Sequence, residues 1–154
     1  MARQAALIRI GTLRPQDVIP HILAWAEKDP ALQREYRKLH LERHEFMGHS
    51  VNMDSTRLHC FAAKGLACVR CGIVGQYFAV ERFPTHGSAH INLYAVDIDG
   101  DEILMTRDHV RPRARGGPDR ISNCQTMCSV CNWEKGSRLE GEQNGQENTQ
   151  KLVP

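Results

Sequence analysis

The stretch Thr106-Arg107-Asp108-His109-Val110-Arg111-Pro112, continuing through Gly116-Gly117 and Asn123 to Cys128-Ser129-Val130-Cys131-Asn132-Trp133-Glu134-Lys135, governs the reading of this 154-residue chain. It ends on a Cys-x-x-Cys turn, and a second one, Cys68-Val69-Arg70-Cys71, lies upstream. Such a turn brings two thiolates to one metal, and two turns complete a tetrahedral site with Zn–S of about 2.3 Å. One turn alone also fits a thiol–disulfide redox pair, but neither turn here sits in the βαβ pattern that such a pair needs. Cys68, Cys71, Cys128 and Cys131 are therefore read as zinc ligands. Residues 72–127 separate the two turns, far more than the roughly 12–20 of a compact zinc finger. A metal closing so long a loop acts as a staple, and function is sought inside that loop. Cys60 and Cys124 have no partner turn and read as small buried hydrophobes.

Working outward, residues 107–120 hold five arginines (Arg107, Arg111, Arg113, Arg115, Arg120) against two aspartates, although the whole chain is only +2. A local basic cluster suggests a polyanionic partner such as nucleic acid. Hydrophobic residues make up 41% and charged residues 25%, which excludes collagen-like and fully disordered classes. No apolar run approaches the ~18 residues of a membrane span. The N-terminal residues lack a long apolar core, so no secretory leader is expected and a cytoplasmic location follows, with no membrane partner.

Three regions are expected. Residues 1–65 read as a helical segment. Val18, Ile19, Ile22, Leu23 and Ala26 form an apolar stripe over residues 16–28, with Pro20 in the first turn. Asp29-Pro30 opens a second helix carrying Leu32, Tyr36, Leu39 and Phe46 and ending near Gly48. Asp54 caps a third, stopped by Gly65. His40 and His44 then sit one helical turn apart on a solvated face. Residues 66–139 form a zinc-stapled domain. Its strands fall at Ile73–Arg82, His90–Asp97 and Ile103–Thr106, with a turn at Asp99-Gly100-Asp101. The segment Pro112–Pro118 is a loop, and Trp133–Leu139 begins the last helix. Residues 140–154 lack apolar periodicity and read as a disordered tail. The class is α+β.

The ordered set Asp108-His109, Pro112, Gly116-Gly117, Asn123, Cys128/Cys131 and Asn132, with Lys135 behind it, resembles the HNH endonucleases of the ββα-metal class. It is similar above all to their four-cysteine branch, common among bacteriophage and bacterial proteins. The resemblance covers residues 68–136. It implies a ββα-metal core and cleavage of DNA to 5′-phosphate and 3′-hydroxyl ends. It further implies His109 as general base, Asp108 and Asn132 as ligands of a catalytic divalent metal, and Asn123 as the residue orienting His109 through the hairpin. Arg113, Arg115 and Lys135 become candidate phosphate contacts.

The chemistry asks for these residue types in its own right. Phosphodiester hydrolysis needs an activated water and a cation to neutralise the charge developing on phosphate. Histidine, with an ordinary pKa near 6.5, retains a neutral fraction at cellular pH. Asp108 supplies a hard oxygen and Asn132 an amide oxygen. Many relatives carry histidine at the latter position, and the amide shifts the expected metal towards Mg²⁺ or Mn²⁺. The span from Cys71 to Asp108 is long for the family and is expected to hold extra strands. A competing reading is a non-catalytic zinc module that binds nucleic acid, which needs only the cysteines and the basic loop.

Overall fold

The structure is a computed structural model and describes residues 6–139. In chain order the N-terminal half holds β1 (Ile8–Leu13), α1 (Pro15–Ala26), α2 (Pro30–Lys38), β2 (Arg43–Phe46), β3 (His49–Asn52) and α3 (Thr56–Lys64). The C-terminal half holds β4 (Tyr77–Arg82), β5 (His90–Val96), β6 (Glu102–His109), β7 (Cys124–Cys128) and α4 (Ser129–Lys135). The expected tail, 140–154, lies outside the described residues.

Five strands form an antiparallel sheet in the order β1-β4-β5-β6-β7, and β2 and β3 form a separate hairpin. Strand periodicity decides which face is covered. Phe78 and Val80 of β4, Ile91 and Leu93 of β5, Met105 of β6 and Met127 of β7 are essentially inaccessible. Val18, Ile22 and Trp25 of α1, with Leu58 and Phe61 of α3, complete that core. The other face carries a polar network that fastens the first strand: Arg9 of β1 pairs with Glu102 and Glu81, and the Tyr94 hydroxyl donates to Glu81 at 2.6 Å. Among the described residues no helix is long and apolar enough to cross a membrane.

Several local expectations are corrected. Of the region 1–65, the described residues 6–65 contain three helices but also a strand of the main sheet and a hairpin. Pro15 occupies the first turn of α1, and Pro20 lies inside the helix, where it has no N–H to give to the backbone ladder. Asp29 caps α2 as read, accepting from Ala31 N at 2.8 Å, but the helix stops at Lys38. His40 (φ 55°) turns the chain, and Met47 (φ 51°) and Gly48 (φ 78°) supply the two left-handed residues of a two-residue hairpin turn. His44 therefore lies on a strand, not one helical turn beyond His40. Ser55 replaces Asp54 as the cap of α3, accepting from Leu58 N at 3.4 Å. Asp54 instead accepts from Trp25 Nε1 at 3.0 Å and from Arg37 Nε at 2.6 Å. The last helix begins at Ser129, not Trp133, because Cys128 is its cap: the Cys128 Sγ accepts from Cys131 N at 3.4 Å.

Candidate active site and metal centre

The first cysteine turn is closed by two backbone hydrogen bonds, Cys68 N to Ile73 O (2.8 Å) and Gly72 N to Cys68 O (2.9 Å). Val69 N donates to Thr126 O at 3.0 Å, which docks this turn on β7 beside the second. The sulfur atoms of Cys68, Cys71, Cys128 and Cys131 then lie within 4.8 Å of one another, and those of Cys71 and Cys128 are 3.9 Å apart. A tetrahedral zinc with ~2.3 Å bonds requires sulfurs about 3.8 Å apart, so the cluster fits that metal. Burial pushes the Cys128 and Cys131 thiols up. At Cys68, burial is outweighed by hydrogen bonds from the backbone of Cys71, Cys128 and Arg70, and the thiol falls to about 6. Cys60 and Cys124 are buried apart from this cluster; burial and its neighbour Cys124 push the Cys60 thiol up to about 12, in keeping with an inert core residue.

Neighbouring residues of a strand point to opposite sides, and the end of β6 uses both. Asp108 is buried (7% exposed), and its Oδ2 accepts from Gln125 Nε2 at 2.9 Å and from the ammonium of Lys135. That ammonium also donates to the His109 carbonyl at 2.8 Å. The His109 ring meets the loop instead, with Nε2 at 3.2 Å from Asp119 Oδ1, and Arg107, two residues earlier on the same face, donates to the same oxygen at 2.6 Å. Arg107 first, then His109, holds the Asp119 carboxyl below the usual carboxylate range. From α4, Asn132 Nδ2 donates to Thr106 Oγ1 at 2.8 Å, while that hydroxyl donates to Met127 O at 2.7 Å. The hydroxyl has one proton and has spent it, so it accepts from Asn132, which fixes the amide and leaves Oδ1 on the other side.

An open cleft of about 290 Å³ is lined by Arg107, Asp108, His109, Arg113 and Asn132, among others. The loop at its rim is held by buried Asn123. Its Oδ1 accepts from Arg111 N (2.9 Å), and its Nδ2 donates to Arg111 O (3.0 Å) and Pro118 O (2.9 Å). Gly116 is left-handed (φ 76°), and a Cβ on Gly117 would lie 1.7 Å from the Arg111 carbonyl oxygen, so this loop path needs both glycines.

Of the residues singled out, Asp108, His109, Asn132 and Arg113 thus border one cleft. Asn123 grips the loop and has no direct bond to His109. Arg115 lies exposed on that loop, its carbonyl accepting from Arg111 Nε at 2.8 Å. Lys135 is the correction: at 5% exposure, bonded to Asp108 and the His109 carbonyl, it is not disposed as a phosphate contact. Sequence reasoning missed Asp119 and Gln125. Gln125 faces Asp108 directly across the β6–β7 register, and Asp119 was the one carboxylate in the arginine-rich loop, two residues past Gly-Gly.

No curated protein and no solved structure matches the chain. The segment that forms this cleft and ends just past the second cysteine turn, residues 98–138, matches the family model of the HNH endonucleases.

Proposed function

We propose that this chain is a metal-dependent endonuclease with a ββα-metal core formed by β6, β7 and α4, hydrolysing DNA phosphodiester bonds to 5′-phosphate and 3′-hydroxyl ends. The reading is carried by one observation: Asp108, His109 and Asn132 border a single cleft inside the segment matching the HNH family. His109 takes the proton of the attacking water. With Nε2–H donated to Asp119, the Nδ1 lone pair is the acceptor, the division of labour seen wherever a carboxylate holds a catalytic imidazole. Asp108 and Asn132 would hold the divalent cation, and hard oxygen donors favour Mg²⁺ or Mn²⁺. When bound, such a cation neutralises charge developing on the phosphate and the leaving oxygen. Lys135 steadies the site from within, gripping Asp108 through Oδ2 and the His109 carbonyl with one ammonium. Asn123 orients His109 indirectly, by fixing the loop from which Asp119 reaches the ring. Arg113 and Arg115 meet substrate phosphates, which positions DNA without reading its sequence.

Incubation with supercoiled plasmid tests this. Nicking requires Mg²⁺ or Mn²⁺, and Asp108→Ala loses nicking together with calorimetric affinity for the cation while keeping stoichiometric zinc. Binding of DNA without nicking in either cation would favour the non-catalytic zinc module instead; nicking in EDTA, or an Asp108→Ala chain that nicks and binds cation as the parent does, would overturn the metal-ligand role of Asp108.

A further inference from the structure

A second cleft, of about 250 Å³, shares no residue with the first. It lies where the start of α3, β2 and β3 meet the first residues of β5, and its polar lining is Arg43, Asn52, Ser55, Arg57, Ser88 and His90. No carboxylate lines it. Arg57 donates through one Nη to the Ile91 carbonyl at 2.9 Å, while its Nε is buried without a hydrogen-bond partner. Burial pulls its guanidinium below the ordinary value. Arg43 donates from Nε to Ser50 Oγ at 2.7 Å and from Nη2 to Ser50 O at 2.8 Å, both uncharged partners. Among the described residues neither arginine has a carboxylate partner. A half-buried cation with a buried unused donor and no counter-ion is costly unless something supplies the missing charge and acceptor.

We infer that this cleft binds a phosphate group, with Arg57 and Arg43 as its charged walls and Ser55, Ser88 and His90 as further donors. A tetrahedral oxyanion offers acceptors in several directions, which suits two guanidinium forks converging from different elements. The shared chemistry has two sources, a backbone phosphate of nucleic acid or a free phosphate ion. The nucleic-acid source rests on the nuclease reading and would place a second contact on the substrate away from the cleavage cleft.

Binding, not cleavage, tests the inference. The full chain with His109→Ala is titrated with inorganic phosphate by calorimetry and with a fluorescent DNA duplex by anisotropy at several salt concentrations. Arg43→Gln and Arg57→Gln are compared in the same background. If the occupant is DNA, each substitution weakens duplex binding roughly fivefold near physiological salt and lowers the logarithmic salt slope by about one. If it is a free ion, phosphate binds the parent and not the variants, and the duplex slope is unchanged. Should Arg57→Gln fail to fold, the more exposed Arg43→Gln still decides. Phosphate and duplex binding by Arg43→Gln equal to the parent's overturns the inference, whatever the cleavage assay reports. Loss of binding in a chain whose parent never nicks plasmid would sustain it and remove the nuclease reading alone.

Discussion

At the scale of the residue, the proposed site is a division of one strand end between two carboxylates. Asp108 turns inward to Lys135 and Gln125, and His109 turns outward to Asp119. Because Asp119 is exposed and held below the usual carboxylate range by Arg107 and then His109, its charge is present at neutral pH and is lost only in strong acid. Its contribution is therefore constant across the working range of a nuclease. Asp119→Asn should fold, keep its zinc and bind DNA, yet cleave about 10–100-fold more slowly, the usual effect of removing a residue that orients a functional histidine. Steady-state nicking rates beside elemental zinc analysis check this, and an unchanged rate would show that Asp119 is only a surface ion-pair partner. That Asp108, His109 and Asn132 come together at one cleft is legible in the sequence because residue type and order mark them out. Asp119 and the inward turn of Lys135 are not, since both depend on where a loop folds back and on which face of a short helix is covered.

At the scale of the element, the loop between β6 and β7 holds its shape through Asn123 and two glycines. Gly117 has no room for a side chain beside the Arg111 carbonyl. Gly117→Ala should push the loop away from Asn123, withdraw Asp119 from His109 and cut nicking at least tenfold, about 1.4 kcal/mol of barrier. The sheet and zinc cluster should be unaffected. Parallel circular dichroism and nicking assays check that separation; a fully active variant would mean the loop is not part of the site. Loop and strands here follow from glycine, proline and period-two patterning, which are local signals. The sequence places β2 within a helix because Leu32, Tyr36, Leu39 and Phe46 recur at near-helical spacing. Leu39 is in fact 67% exposed while Phe46 is buried on a strand. The Met47-Gly48 turn is the available signal, but a glycine after an apolar stripe also fits a helix stop. α4 begins four residues earlier than read because Cys128, a member of the cysteine cluster, also caps it, a coincidence of positions that spacing alone does not reveal.

At the scale of the whole molecule, the cysteine cluster ties the chain before β4 to the start of α4, closing a loop that contains four strands of the main sheet. The convergence of the four cysteines was legible from Cys-x-x-Cys spacing. The way β1 completes the sheet was not, because pairing to β4 is long-range and Ile8–Leu13 has no pattern that names its partner. One zinc per chain is expected by elemental analysis. Cys128→Ser or prolonged chelation should unfold the core, read as loss of the cooperative thermal transition, because the metal's binding energy is folding energy here. A zinc-free chain melting as the parent does would refute the staple. The central claim is that the HNH segment is a working nuclease with His109 as its base, and the most direct measurement is the nicking rate of supercoiled plasmid by His109→Ala against the parent, at equal zinc content, in Mg²⁺ or Mn²⁺. The account predicts that His109→Ala folds and binds both DNA and the cation but cleaves roughly 10²–10⁴-fold more slowly, whereas equal rates from the two purified chains would contradict it.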